Sequence, residues 1–89
     1  MSKYCGFAYD PRALDYLKTV PKKFRKQIVD KVYKLAADPY PATVKMVQGM
    51  SDGEERVYRI RSGDYRILYV VRHVIVVIID INHRKDVYR

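Results

Sequence analysis

Residues 56–68, RVYRIRSGDYRIL, decide the fold, because strand-like residues alternate on both sides of a turn signal. A two-residue loop at Gly63-Asp64 predicts a tight β-hairpin in which Arg61 lies opposite Arg66. Since side chains alternate across a strand, one face of this hairpin then carries three arginines: Arg59, Arg61 and Arg66. The other face carries apolar and aromatic residues: Tyr58, Ile60, Ile67 and Tyr69. A three-residue loop would move Arg66 to the opposite face, so only the first register separates charged from apolar residues.

The arginine face of this hairpin is expected to bind a polyanion. Like charges that lie opposite each other on a sheet repel, and the only acid inside the hairpin is Asp64, at its tip. A solvated sheet face would explain any single arginine here. The cluster as a whole is more typical of a surface that binds a polyanion.

Length and charge support a single small basic domain, residues 1–89. The 89 residues carry a formal net charge of +8, 48% hydrophobic residues and a pI of about 9.7. The basic excess is denser after residue 55, where eight basic residues meet three acidic ones and nearly all the cations are arginines. Arginine suits bidentate phosphate contacts. Nucleic acid, an anionic membrane and an acidic protein are therefore the partner classes that the charge allows.

Other features of the composition exclude several classes of protein. A single cysteine, Cys5, rules out an intrachain disulfide and is expected to be buried in an apolar first strand. No apolar run near the N-terminus is typical of a signal peptide, and the run from Val74 to Ile79 is too short to cross a membrane. We therefore expect a cytoplasmic protein without a membrane partner. Two histidines without a carboxylate at ligand spacing predict neither a metal site nor a cofactor.

Two helices are predicted before the hairpin. Asp10-Pro11 is a helix-start signal, and the first helix is expected to reach about Lys18 with Leu14 and Leu17 buried. Val20-Pro21 starts a second helix that ends at Ala37-Asp38-Pro39. Its apolar residues recur at helical spacing: Phe24, Ile28, Val32 and Leu35.

The remaining segments are predicted to form a sheet. Tyr4 to Tyr9 is a first strand, and Lys45 to Gly49 is a short extended piece. A last strand is predicted from Val74 to about Ile81. Its residues from Val74 to Ile79 are apolar without alternation, which predicts a central strand buried on both faces. The order β-α-α-β-β-β indicates an α+β fold, with a two-helix hairpin packed on a mostly antiparallel twisted sheet.

In five sequence features this chain resembles the RelE/ParE superfamily of type II toxin–antitoxin toxins, and more closely its RelE branch. They are Pro21 at the start of the second helix, Asp38-Pro39, KMVQGM (45–50), YRIRSGDYRILY (58–69) and INHRKDVYR (81–89). The resemblance covers nearly the whole chain. It implies a metal-independent endoribonuclease that enters the ribosomal A site and cuts mRNA there, by attack of a ribose 2′-hydroxyl on the adjacent phosphate.

The resemblance also assigns roles to residues. It implies catalytic roles for Arg61, Arg66, Arg84 and Tyr88, and the chemistry of the nearby side chains adds His83 to this predicted catalytic set. Four further cations are expected to bind RNA phosphates: Arg59, Arg56, Lys45 and Lys85. Arg59 and Arg61 both stand where the RelE branch has lysines. Because arginine stays protonated, neither can readily accept a proton.

The proton acceptor is left open between His83 and Tyr88. His83 is the only nearby group that ordinarily titrates near neutral pH. The phenol of Tyr88 would need the surrounding arginines to favour its ionised form. Some relatives use a glutamate ahead of the segment that matches KMVQG, where this chain has no acid; Glu54 or Glu55 is a weaker substitute.

Two other functions remain possible on this fold. One is inhibition of DNA gyrase without catalysis, as the ParE branch implies, and the other is binding of RNA or the ribosome without chemistry. The resemblance also implies a cognate antitoxin, expected to lay acidic or helical segments over the hairpin and the C-terminal strand. Codon preference, oligomeric state and the class of antitoxin lie beyond what the sequence predicts.

Overall fold

Two helices cover one face of a five-stranded sheet in this computed structural model, which describes residues 6–52 and 55–85. The elements in chain order are β1 (Gly6–Tyr9), α1 (Pro11–Thr19), α2 (Lys22–Ala37), β2 (Lys45–Asp52), β3 (Glu55–Ser62), β4 (Tyr65–Arg72) and β5 (Ile75–His83). The strand order is β1-β5-β4-β3-β2, with β1 parallel to β5 and every other pair antiparallel. The predicted α+β fold is confirmed. Within the described ranges, no helix has the length and apolar character needed to cross a bilayer.

The helices begin where the sequence predicts, although one buried position was wrong. The Asp10 carboxylate accepts a hydrogen bond from the Arg12 backbone N–H at 3.0 Å, which caps α1 just before Pro11. Leu17 is buried, but Leu14 is 39% exposed and Ala13 takes the second buried position. Ala13 and Leu17 are four residues apart, so they form the stripe that faces the sheet, and Leu14 lies about 100° around the helix from Ala13.

The apolar stripe of α2 packs on the sheet as predicted for most of its length. Ile28, Val32 and Leu35 are buried in the main core, together with strand residues such as Ile67. Phe24, at the start of the stripe, is 39% exposed, and its ring centroid lies 6.1 Å from that of Tyr65. The last three residues of the stripe therefore belong to the core, and the first, Phe24, lies at its edge.

The sheet has one more strand than the sequence predicted. The short extended piece expected at Lys45 to Gly49 is a full strand, β2, which pairs with β3 from Lys45 opposite Arg59 to Asp52 opposite Glu55. Its register shifts between Met46 and Ser51. In the first strand, Tyr4 and Cys5 lie outside the described residues, so the expected burial of Cys5 stays a prediction.

The hairpin register is the one that the sequence predicted. Arg61 pairs with Arg66 and Ser62 with Tyr65 across the turn. Gly63 has a φ of +60°, and no such angle occurs at Asp64. This combination fits a type II′ turn, whose first central residue is ordinarily glycine. The turn therefore fixes which hairpin face carries the arginines.

Strand β5 departs from the prediction in its position, in its burial and in its register. It is an interior strand, but β4 occupies the middle of the sheet, and Val74 and Ile75 are exposed rather than buried on both faces. The register shifts between Tyr69 opposite Ile78 and Leu68 opposite Asp80, so one extra residue bulges from β5.

The bulge keeps a carboxylate out of the core. Ile78 and Ile81 both belong to the main core under the helices, although they are three residues apart. Ile79 packs instead with a smaller cluster on the opposite face, formed by Val57, Leu68 and Val70. In an unbulged strand Asp80 would have the same orientation as Ile78 and would lie under the helices, where an unpaired charge is costly.

The turn between β4 and β5 offers a stability prediction. His73 has a φ of +58°, a left-handed conformation that a non-glycine residue adopts at a cost. We expect His73→Gly to raise the free energy of unfolding by about 1 kcal/mol, because relief of this strain outweighs the extra freedom of the unfolded chain. Denaturant unfolding of both proteins measures it. An equal or lower stability in the variant would show that the turn carries no strain.

Candidate nucleic-acid interface

Three guanidiniums meet at the tip of the β3–β4 hairpin. Arg61 and Arg66 are direct cross-strand partners on the face away from the helices. Arg84 joins them because its backbone N–H donates a hydrogen bond to the Asp64 carbonyl at 2.8 Å, just after β5 ends. Together with Gly63 and Asp64 they line a small recess of about 40 Å³, which we call the tip recess. The structure therefore brings together three of the five residues of the predicted catalytic set.

Among the described residues, Asp64 is the one carboxylate that lines the tip recess. Its Oδ1 lies 3.6 Å from Arg84 Nε, and its Oδ2 lies 4.0 Å from His83 Nε2. The Asp64 and Arg84 side chains are 58% and 62% exposed, so their attraction is screened by water. Three guanidiniums against one exposed carboxylate leave the recess positive, which suits it to a phosphate group.

His83 is placed differently from the arginines. It pairs with Tyr65, and the two rings pack edge to face with their centroids 5.0 Å apart. Tyr65 packs against the core under the helices, so His83 lies on the helix side of the sheet. The β5 bulge causes this, because without it His83 would have the same orientation as Ile79, on the arginine side. His83 approaches the tip recess through its 4.0 Å contact with Asp64.

A hydrogen bond also engages one nitrogen of the His83 ring. Nδ1 accepts from the backbone N–H of Lys85 at 3.1 Å. The neutral tautomer that keeps this bond has its proton on Nε2, facing Asp64, and its lone pair on Nδ1 already engaged. In this arrangement the nitrogen that would have to take a proton from the substrate already accepts a hydrogen bond.

Asn82 is a residue of this face that the sequence analysis missed. It lies opposite Arg66, in the position that the β5 bulge gives it. Both Arg66 Nε and Asn82 Oδ1 are buried and have no hydrogen-bond partner within the described ranges, while Asn82 Nδ2 donates weakly to Asp80 at 3.4 Å. Buried polar atoms ordinarily find partners, so this pair is suited to a ligand that supplies them. The only sequence signal was its place in the polar segment after the apolar run.

The other predicted phosphate-binding cations divide between two regions. Lys45 and Arg59 are partners across β2 and β3, and they line a larger recess of about 420 Å³ beside α2, which we call the edge recess. Lys85 is exposed beside Arg84. Arg56 is also exposed, but strand alternation gives it the orientation of Tyr58, on the helix side, so it does not join Arg59.

The remaining candidates can be placed in part. Tyr88 and Glu54 lie outside the described residues, so their predicted roles are not tested. Glu55 forms an ion pair with Arg72 at 2.8 Å. Arg72 ends β4 at the opposite end from the hairpin turn, so Glu55 is remote from the tip recess.

The tyrosines on the other face of the hairpin are structural. Tyr69 is fully buried and donates its hydroxyl proton to the Pro39 carbonyl at 2.6 Å. Burial, helped by nearby Tyr40 and Tyr58, raises the pKa of Tyr69 well above its usual value, so it stays neutral. The Tyr58 ring packs 5.8 Å from that of Tyr69. These contacts anchor the hairpin to the segment after α2.

The fold and the tip recess define a small α+β protein with a cluster of arginines on the sheet face opposite the helices. A family model described as the ParE toxin of the type II toxin–antitoxin system parDE matches residues 7–88, and the chain belongs to this family, within the RelE/ParE superfamily. It is thus a toxin of the type II class with the RelE/ParE fold. A comparison with curated proteins gave no significant match.

Solved structures of RelE toxins are similar to this chain. RelE in the RelE–RelB complex of the archaeon Pyrococcus horikoshii is 24% identical, with a TM-score of 0.76 over 92% of this chain and 96% of that chain. The intact RelBE toxin–antitoxin complex of E. coli matches at 26% identity and a TM-score of 0.70, over 89% and 95%. The isolated E. coli RelE toxin is 27% identical, with a TM-score of 0.70 over 94% of this chain and 90% of that chain.

Proposed function

We propose that this toxin is a ribosome-dependent endoribonuclease that cuts mRNA in the A site. The observation that carries the proposal is the meeting of Arg61, Arg66 and Arg84 at one recess. Donors fixed around a phosphate before reaction stabilise the negative charge that develops in the transition state. A surface that served only to attract nucleic acid would not need cations from both hairpin strands and from the chain after β5.

The proposed reaction needs only proton transfers and charge stabilisation. The 2′-oxygen of one ribose attacks the adjacent phosphorus and gives up its proton to a base. The bond from phosphorus to the 5′-oxygen breaks, and that oxygen takes a proton from solvent water. The products are a 2′,3′-cyclic phosphate and a free 5′-hydroxyl. Arg61 and Arg66 bind the non-bridging oxygens, while Arg84 neutralises charge on the leaving oxygen.

Tyr88 is the proton acceptor that we propose. The arginines stay protonated, so they cannot serve. His83 is the alternative, but its Nδ1 already accepts a hydrogen bond from Lys85 and its register sets it on the helix side. Neighbouring arginines favour the ionised form of a phenol, which is what a tyrosine base requires.

The proposed protein partner is a cognate antitoxin. Two of the similar structures are toxin–antitoxin complexes, which supports such a partner here. We infer that acidic or helical segments of the antitoxin cover the arginine face, because opposite charge would neutralise its self-repulsion. The ribosome and its mRNA are the proposed targets, which implies action in the cytoplasm.

Inhibition of DNA gyrase is the second candidate, because the matching family model is described as ParE. Two assays with the purified toxin separate the candidates. We expect cleavage of mRNA bound to programmed ribosomes and no loss of supercoiling by gyrase. Loss of supercoiling with intact mRNA would overturn the proposal in favour of the ParE-like activity. If the mRNA stays intact and gyrase still supercoils DNA, the toxin would be a binding module without chemistry.

A further inference from the structure

We propose that the edge recess holds a second phosphodiester of the same RNA strand, so that Arg61 serves two neighbouring phosphate sites. This inference rests on the proposed function. The edge recess is lined by Lys31, Thr43, Lys45, Arg59, Ile60 and Arg61. Arg61 also lines the tip recess, so the two recesses adjoin at this residue.

The charge of the edge recess calls for an anion. Four cations line it, from α2, β2 and β3, and none of the described side chains that line it is acidic. Across the described ranges, none of these four side chains forms a hydrogen bond or an ion pair. Cations held together without counter-charge destabilise the folded state, and a bound polyanion offsets that cost.

The shape of the edge recess suits a nucleotide. Ile60 is only 5% exposed and forms an apolar floor, on which a ribose or a base can pack. A volume of about 420 Å³ is typical of sites that enclose a small molecule. The hydroxyl of Thr43 adds a donor that carries no charge.

Unpaired backbone at the edge of β3 adds further donors. Pairing between β2 and β3 stops at Lys45 opposite Arg59, so within the described chain no strand covers that edge of β3 from Ile60 to Ser62. Residues in an interior antiparallel strand direct their N–H and C=O groups to both neighbours. Part of this backbone is therefore available to a ligand, and N–H groups commonly bind phosphate oxygens.

An RNA strand explains the arrangement better than an acidic peptide does. The edge recess continues, through Arg61, into the recess where the cut phosphate is proposed to lie. A strand held for cleavage carries a phosphate on each side of the cut one, so it places charge in both recesses at once. Lys31 then fixes the path of the strand, at a distance from the bond that breaks.

Binding of a single-stranded DNA hexanucleotide tests this proposal, because the missing 2′-hydroxyl prevents cleavage. We expect Lys31→Gln to weaken binding several-fold and to lower the slope of log K against log salt by about 0.7, the value for one lost phosphate contact on a single strand. A DNA dinucleotide, with its single phosphodiester, should bind equally to both proteins. Fluorescence anisotropy across a salt series gives both quantities.

Lys26→Gln is the matched control. It removes the same charge from the same helix, at an exposed position about 140° around α2 from Lys31, and Lys26 does not line the edge recess. We expect it to leave the salt slope unchanged. Equal loss in the two variants would mean that general attraction, and not a site, explains the effect, which would overturn the proposal.

Two further results separate this proposal from the one on which it rests. If Lys31→Gln binds the hexanucleotide normally but loses affinity for a short polyglutamate peptide, the recess belongs to an acidic protein, and the second RNA site is refuted. Cleavage by the wild type on ribosomes is measured independently. If the wild type does not cleave mRNA while Lys31→Gln still binds the hexanucleotide more weakly, the proposed chemistry is refuted and the second phosphate site is supported.

Discussion

Arg66→Met is expected to lower the rate of mRNA cleavage by about 10²–10³-fold, the usual cost of removing one donor that stabilises transition-state charge. Arg66 lies in the tip recess opposite Arg61. Its Nε is buried without a hydrogen-bond partner within the described ranges, so the folded protein gains little from this guanidinium. Methionine keeps most of the apolar stem. We therefore expect the free energy of unfolding to change by under about 1 kcal/mol.

Single-turnover cleavage on programmed ribosomes measures this effect, with denaturant unfolding beside it. The matched control is Arg72→Met, which makes the same change on the same strand and, by alternation, on the same face, at the other end of β4. Arg72 pairs with Glu55 at the surface, where an ion pair contributes little. Retained cleavage in Arg66→Met, or equal loss in both variants, would remove the phosphate role from the tip recess.

Tyr88→Phe is expected to lower cleavage by about 10²–10⁴-fold, the range for loss of a general base. The change removes one oxygen and leaves the ring. His83→Gln is its counterpart, and we expect it to retain the rate within about tenfold, because the ring it replaces is held on the helix side and its Nδ1 is engaged. Rates for both variants, measured across pH, decide between the two residues.

Two outcomes would contradict this assignment. A loss in His83→Gln as large as in Tyr88→Phe would mean that the imidazole leaves its hydrogen bond with Lys85 and acts on the substrate. Full activity in both variants would exclude both groups as proton acceptors. In each case the arginines would retain their phosphate role, which the Arg66→Met variant tests separately.

The arginine face could be predicted because its causes are local. A Gly-Asp pair between alternating strands specifies a two-residue turn, and the turn sets the register of Arg61 opposite Arg66. The start of α1 at Asp10-Pro11 was predictable for the same kind of reason, since capping depends on neighbouring residues.

The position of His83 could not be predicted because its cause is a tertiary one. The apolar run in β5 gives no sign of where a bulge falls, since every residue from Ile75 to Ile79 is equally suited to either face. The bulge arises where Asp80 would otherwise enter the core, and it moves every later residue to the other side. Asn82 thereby takes the position opposite Arg66, and His83 pairs with Tyr65.

The place of Arg84 and the edge recess also depended on contacts distant in sequence. Arg84 reaches the tip recess through a backbone hydrogen bond to Asp64, twenty residues earlier. Lys31 meets Arg59 and Lys45 only because α2 packs beside the uncovered edge of β3. No periodicity in the sequence relates these residues, so the sequence analysis did not single out Lys31.

The most direct test of the central claim is the chemistry of the cut end. The wild-type toxin is incubated with ribosomes that hold a defined mRNA, and the new 3′ ends are mapped and analysed. We predict a cut within the A-site codon that leaves a 2′,3′-cyclic phosphate, and no cut when the ribose at that position is 2′-deoxy. Intact mRNA, or cleavage that persists on the 2′-deoxy substrate, would contradict the account.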